Sequence, residues 1–260
     1  MSFIRSFSVN TTKQQPFPFN IPAVRFARNI LLDKITIFVG DNGSGKSTLL
    51  EAIAYSANLP LIGGFIGGGD FHAARILKPD LEIDWIRNTG MGFFFRAEDF
   101  SAFVDSVDRE KTKLENQLRD FGEENEKVIS QMTESMNHTL HQMRKDYGEN
   151  MLAFSHGEAY LKILHTRIQN KGIYLLDEPE AALSPIKQLS LIALILEVLK
   201  NNHSQFIIAT HSPILMGIPG ARLYEIQEDG MQQVEFRDTQ HYQITKNFLD
   251  NPQAYLRHLE

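Results

Sequence analysis

Two short runs contain the residues with chemistry in them. The first, Gly40-Asp41-Asn42-Gly43-Ser44-Gly45-Lys46-Ser47, has the spacing GxxxxGK[ST] and is followed by Thr48. Glycines at this spacing let the backbone curl so that successive N–H groups point inward, which makes a cradle for phosphate oxygens. In such a loop Lys46 is expected to reach the β- and γ-phosphates of a nucleotide and Ser47 to place its hydroxyl on Mg²⁺, while Asn42, Gly43, Ser44, Gly45 and Thr48 line the phosphates. The second run, Ile173-Tyr174-Leu175-Leu176-Asp177-Glu178, is an apolar stretch that delivers two carboxylates at its end. Asp177 is expected to hold the metal and Glu178 to polarise the attacking water. An acidic pair alone reads as a solvated turn; behind a phosphate cradle it reads as catalytic.

These residues need a particular frame. Ile30 to Val39 is mostly apolar and β-branched and reads as one strand ending at Gly40, while Ser47 to Ala57 reads as a helix, giving strand, loop, helix around the cradle. A helix beginning there adds the partial positive charge of its N-terminus to the phosphate site. From Ile173 onward strand and helix alternate: Ile173 to Leu176, Pro185 to Lys200, Phe206 to Ala209, then Leu223 to Gln227 and a hairpin near Asp229-Gly230. That alternation predicts an α/β fold with a mainly parallel sheet, whose ligands gather at the carboxyl ends of the strands. Phe3, Ile4, Phe7 and Val9 predict an N-terminal edge strand or hairpin, followed by a constrained Pro-rich loop over Gln14 to Pro22. Gly63 to Gly69 reads as a loop and Gly92 to Phe95 as a short strand. Residues 101–150, charged and amide-rich with apolar positions at helical spacing, predict a solvated helical lobe inserted into a single domain spanning 1–260.

Three further pieces resemble the ATP-binding-cassette superfamily. Asp177-Glu178-Pro179 followed by Ala181-Ala182-Leu183-Ser184 is similar to that family's catalytic run and adjoining loop. Ala209-Thr210-His211-Ser212-Pro213 resembles its switch-histidine motif, and Phe154-Ser155-His156-Gly157-Glu158 its signature motif. The order and spacing match across Ile35 to Pro213, nearer the SMC, RecF and overcoming-lysogenisation-defect group than the transporter ATPases. The resemblance implies an ATPase head that uses ATP and Mg²⁺. It also implies that His211 contacts the γ-phosphate and helps orient water against Glu178, and that Ser155 and Gly157 cap the γ-phosphate held by a second copy in an ATP-dependent homodimer. The spacing of Ser155 and Glu158 is also that of a capping box, and the two roles are compatible.

The pattern departs from the family in places. No glutamine occurs between Gln15 and Gln117, so the family's magnesium-sensing glutamine has no direct counterpart, and Glu98 stands at a suitable distance to supply an oxygen instead. His156 and Glu158 replace a signature glycine and glutamine, and the second adds negative charge where phosphate is to be bound. For the aromatic that stacks on adenine, Phe3, Phe26 and Arg28 are the candidates.

Composition bounds the rest. With 260 residues, 42% of them hydrophobic, the chain can bury one substantial core, and its net charge of -6 argues against sequence-tolerant binding of a phosphate backbone. The absence of cysteine excludes disulfides, thiolate nucleophiles and cysteine-ligated zinc, which fits a cytoplasmic location. No stretch is long and apolar enough for direct membrane insertion. The expected function is a soluble ATP-driven switch, in DNA repair or anti-phage defence, with nucleic acid or an effector protein as partner. The alternative is the ATP-binding subunit of a membrane transporter. A non-catalytic ATP sensor is disfavoured by the retained Glu178.

Overall fold

A computed structural model describes residues 2–10, 16–62, 71–120, 134, 136–141, 156–168, 171–200 and 203–257. In chain order its elements begin with β1 (Ile4–Val9), α1 (Pro22–Arg25), β2 (Ile30–Leu31), β3 (Ile35–Gly40), α2 (Lys46–Ser56) and β4 (Leu61–Ile62). They continue with α3 (His72–Leu77), β5 (Leu81–Trp85), β6 (Gly92–Arg96), α4 (Phe100–Asp120), α5 (His156–Arg167) and β7 (Lys171–Asp177). The last are α6 (Pro185–Lys200), β8 (His203–Ala209), α7 (Pro213–Met216), β9 (Arg222–Gln227), β10 (Gly230–Val234), α8 (Gln240–Asp250) and α9 (Pro252–Leu256).

Seven strands form the main sheet in the order β10-β9-β3-β8-β7-β6-β4. All neighbours in it are parallel except β10, which returns antiparallel along β9. Alternate side chains of the central strands go to opposite faces, as strand geometry requires. Phe38, Phe94, Ile173, Leu175 and Ile207 join a core with α2. Their neighbours Ile37, Phe95, Tyr174, Leu176 and Ile208 join a second core with α4, α5 and α6. Strands buried on both faces read as continuous apolar runs, which is why the acidic strand shows no polar alternation.

A second sheet, β2-β1-β5, is antiparallel throughout. It is tied to the main sheet by Gln205 on β8, a fully buried amide. Its Oε1 accepts from the backbone N–H groups of Phe3 (3.0 Å) and Ile4 (2.8 Å), and its Nε2 donates to the carbonyls of Ile4 (2.8 Å) and Asp33 (3.1 Å). The side chain thus fills its whole hydrogen-bonding capacity, which makes its burial tolerable.

Two expectations change, and two further helices appear. The apolar run Ile30 to Val39 is two strands, β2 and β3, serving different sheets; Asp33 and Lys34 between them are exposed, and Asp33 N–H donates to Thr36 Oγ1 (2.9 Å). The N-terminal strand is no edge: β1 lies between β2 and β5 in the small sheet. The chain also continues past the predicted hairpin into α8 and α9, whose mixed composition gave no clear apolar run. The glycine cluster 63–69 lies outside the described residues. So does most of the predicted helical lobe beyond α4, which anchors itself through Phe100, Val104 and Val107.

Candidate functional site

The cradle forms between β3 and α2 as the motif requires. Gly45 has φ 92°, a left-handed conformation, and a Cβ there would come within 2.8 Å of Ile21 Cδ1, so only glycine fits. Lys46, 4% exposed, donates from Nζ to the carbonyls of Gly40 (2.8 Å) and Asp41 (3.0 Å). Burial lowers its pKa, and the nearby charges of Glu178 and Asp177 oppose that shift. An ammonium held this way is partly stripped of water and aimed along the loop, which suits it to a polyanion.

Register brings the second run beside the first. β7 and β3 both flank β8, so their carboxyl ends are one strand apart. Asp177 ends β7 and accepts a hydrogen bond from Ser47, the first-turn hydroxyl of α2. It is 5% exposed, and burial, in spite of that bond, raises its pKa to about 7. Its Oδ1 has no hydrogen-bond partner among the described residues. A buried, unpaired carboxylate oxygen beside a serine hydroxyl fits one side of a hydrated Mg²⁺ that takes its other ligands from phosphates.

Glu178 has φ 47° and ψ 48°, the left-handed region that costs a non-glycine residue about 1 kcal/mol or more. The turn swings its carboxylate out of the sheet, so that Asp177 stays buried while Glu178 reaches the cavities. Its Oε1 lies 3.4 Å from His211 Nε2. His211, just past β8, is fixed through its backbone: its N–H donates to Glu180 Oε1 at 2.6 Å. Burial raises the pKa of Glu180, and Thr210 and the His211 N–H stabilise its charged form. Ser212 caps α7 by accepting from Ile214 and Leu215, and donates to Gln188 Oε1 at 2.5 Å. Gln188 Nε2 in turn donates to the Leu183 carbonyl (3.1 Å). The histidine loop and the segment after Glu178 are thus laced together across α6.

Two cavities meet at Ser47 and Glu178. One of about 400 Å³ follows the cradle through Asn42, Gly43, Lys46 and Thr48 and is bordered by Phe17 and Ile21. The other, of about 740 Å³, runs past Asp177, Arg96, Glu98 and Leu183. Glu98 therefore borders the cavity that Ser47 and Asp177 also line, with a mostly exposed carboxylate 3.7 Å from Arg96. Arg96 itself is held by Glu51 (2.6 Å) and Asp99 (2.7 Å).

The cradle, Asp177, Glu178 and His211 converge as expected. Ser155 lies outside the described residues. Gly157, in the first turn of α5, faces the Ala182 carbonyl, and a Cβ there would lie 2.9 Å from that oxygen and from Lys187 Cδ. The adenine candidates do not stand at the cradle: Phe3 is core, Phe26 lies under the Arg25 guanidinium, and Arg28 Nη1 donates to the Val9 carbonyl. Phe17, 55% exposed, is an aromatic on the cradle rim that sequence reasoning did not single out. Glu180 and His241 were missed as well. His241 Nε2 lies 3.1 Å from His211 Nδ1. Only the three-dimensional pairing distinguishes it from the other histidines.

The model of the family described as "AAA domain, putative AbiEii toxin, Type IV TA system" matches residues 35–133 and 98–217. The "Phosphate import ATP-binding protein PstB 1" of Vibrio cholerae is 28% identical over 69% of this chain and 64% of that protein, so the chain spans just under two thirds of that relative's length. The "Putative ABC transporter ATP-binding protein" of Methanosarcina acetivorans is 31% identical over 74% of this chain and 68% of its own. The Smc head solved with the C-winged helix domain of ScpA is similar in fold, with a TM-score of 0.51, 14% identity, and coverage of 90% of this chain and 98% of that one.

Proposed function

Because the chain belongs to the AAA-domain family of ATP-binding-cassette-type ATPases, we propose that it is one ATPase domain that binds Mg-ATP, closes head to head with a second copy, and opens on hydrolysis. The observation that carries this reading is the convergence of Lys46, Ser47, Asp177, Glu178 and His211 at the carboxyl ends of adjacent parallel strands.

Lys46 and the N–H groups of residues 42–48 hold the β- and γ-phosphates, and Phe17 offers its ring to the adenine. Mg²⁺, held by Ser47 and Asp177, would neutralise charge on the β- and γ-oxygens. Glu178 accepts the proton of the attacking water, and His211 donates from Nε2 toward the γ-phosphate and orders the water between them. In the closed pair Ser155 and the backbone at Gly157 present an anion-binding helix N-terminus to the partner's γ-phosphate. Closure then depends on the intact triphosphate, and its loss releases the heads.

Two partner classes follow. A soluble switch coupled to nucleic acid or an effector protein in the cytoplasm is supported by the family's naming after a toxin system and by the charged face of α4. A transporter's ATP-binding subunit is supported by the names of the relatives, and no helix among the described residues is long and apolar enough to cross a membrane, so another chain would supply the pore. Co-purification with an integral membrane protein favours the second.

The test is molar mass by light scattering on Glu178→Gln, with and without Mg-ATP, beside Glu178→Gln/Ser155→Arg. Mass should double with ATP in the first and not in the second. An unchanged mass in both, with ATP bound, rejects self-pairing.

A further inference from the structure

The switch histidine has a second ring behind it. His241, in the first turn of α8, sets its Nε2 3.1 Å from His211 Nδ1, with ring centroids 5.3 Å apart. On the opposite side His211 Nε2 faces Glu178 Oε1 at 3.4 Å. His211 Nδ1 is therefore in hydrogen-bond contact with His241, while Nε2 has no hydrogen-bond partner among the described residues and meets the Glu178 carboxylate as a nearby charge. A neutral imidazole has one N–H and one bare nitrogen, so the contacts constrain each other. With the proton on Nδ1, a bare Nε2 would confront a carboxylate, acceptor against acceptor. With the proton on Nε2, His211 donates toward Glu178, and its bare Nδ1 accepts from His241 Nε2–H. For neutral rings only this arrangement makes both contacts attractive. Burial lowers the pKa of both histidines, and Lys46 pushes each further the same way, so neutral rings are the expected state.

The position of His241 is built rather than incidental. Thr239 is fully buried, caps α8 by accepting from Tyr242 N–H (3.3 Å), and donates to the Phe236 carbonyl (2.9 Å). The next N–H, of Gln240, donates to Glu225 Oε1 (2.8 Å), a carboxylate 4% exposed on β9. Phe236 packs on Tyr242 with centroids 4.7 Å apart. His241 Nδ1 is buried and has no partner among the described residues, so packing and the bond to His211 hold the ring.

We propose that His241 is a positioning residue for hydrolysis: its Nε2–H donates to His211 Nδ1, fixing the tautomer and ring plane in which His211 Nε2–H meets Glu178 and the γ-phosphate. The switch histidine is then competent only while the start of α8 stays docked against β9. The effect on turnover rests on the ATPase reading above; the hydrogen bond does not.

Full-length His241→Phe keeps an aromatic ring without a donor, and His241→Gln restores an N–H at the reach of Nε2. The Phe variant should lose about tenfold to a hundredfold in kcat, less than the about 10²–10⁴ that a positioned acid–base group supplies, while ATP affinity measured with the Glu178→Gln background changes less than about twofold. The Gln variant should recover most of the rate, and His211→Ala/His241→Phe should be no slower than His211→Ala. Equal rates for the parent and the Phe variant, or no rescue by Gln, overturn the proposal. Nitrogen-15 spectra of histidine-labelled protein give a readout independent of hydrolysis. His211 Nδ1 should show an accepted hydrogen bond in the parent, a free lone pair in His241→Phe, and the bonded signal again in His241→Gln. Identical His211 signals in the parent and His241→Phe overturn the pairing. If the signals move as expected while parent and Glu178→Gln are equally inert toward ATP, the pairing stands and the ATPase reading falls.

Discussion

Asp177 is the residue whose environment most opposes its task. Burial raises its pKa to about 7, against an ordinary value of 3.8, although the chemistry proposed for it needs the carboxylate. The linkage sign follows from the raised value: the folded state binds the proton more tightly than the unfolded chain, so stability without nucleotide is greatest at low pH and falls as pH rises from about 4 through about 7. The loss is on the order of 4 kcal/mol at 1.36 kcal/mol per unit. Asp177→Asn should remove that part of the slope in denaturant melts between pH 5 and 8, be more stable than the parent at the upper end, and hydrolyse no ATP. Mg-ATP binding should for the same reason tighten as pH rises through about 7. Phe17 can be judged at the same scale. An aromatic face under a base contributes about 1–3 kcal/mol, so Phe17→Ala should weaken ATP by about tenfold in a fluorescence titration, with inorganic triphosphate binding unchanged. The residues legible in the sequence were those whose types the chemistry restricts: Lys46 for its charge, Asp177 and Glu178 for paired carboxylates after a strand. Glu180, Phe17 and His241 act through position alone, so their letters carried no signal.

At the level of elements, the parallel strands and α2 could be read because burial on both faces leaves uninterrupted apolar runs, and the glycine loop punctuates them. The small sheet could not. Ile30 to Leu32 continues the apolar pattern of β3, and nothing local says that the chain changes sheets at Asp33. The long-range device that makes it do so is Gln205. Its amide satisfies two N–H groups and two carbonyls in the interface between the sheets, and each buried group left unpaired costs about 1–3 kcal/mol. Gln205→Ala should therefore destabilise the protein by about 3–5 kcal/mol in urea unfolding. Gln205→Glu, which keeps the acceptor but buries a charge and loses both donors, should be no better. A loss within experimental error would mean that water or neighbouring strands fill the gap.

For the whole molecule, the site and its frame are inseparable in space yet far apart along the chain. β3, which launches the phosphate loop, has no neighbour in the main sheet made before β8 and β9, and β1 is locked by an amide about two hundred residues later. Local helices such as α2 can form early, but their packing surface is completed only by distant strands, the topology that slows folding through loop closure. During synthesis at about 5–20 residues per second, β1 and the strand beneath the nucleotide loop emerge roughly 10–40 s before the residue that seats them. The first strand of this protein therefore spends that interval as a guest of the ribosome's surroundings, and the same glutamine that welds two sheets in the finished molecule sets the moment when that strand can be seated on the main sheet.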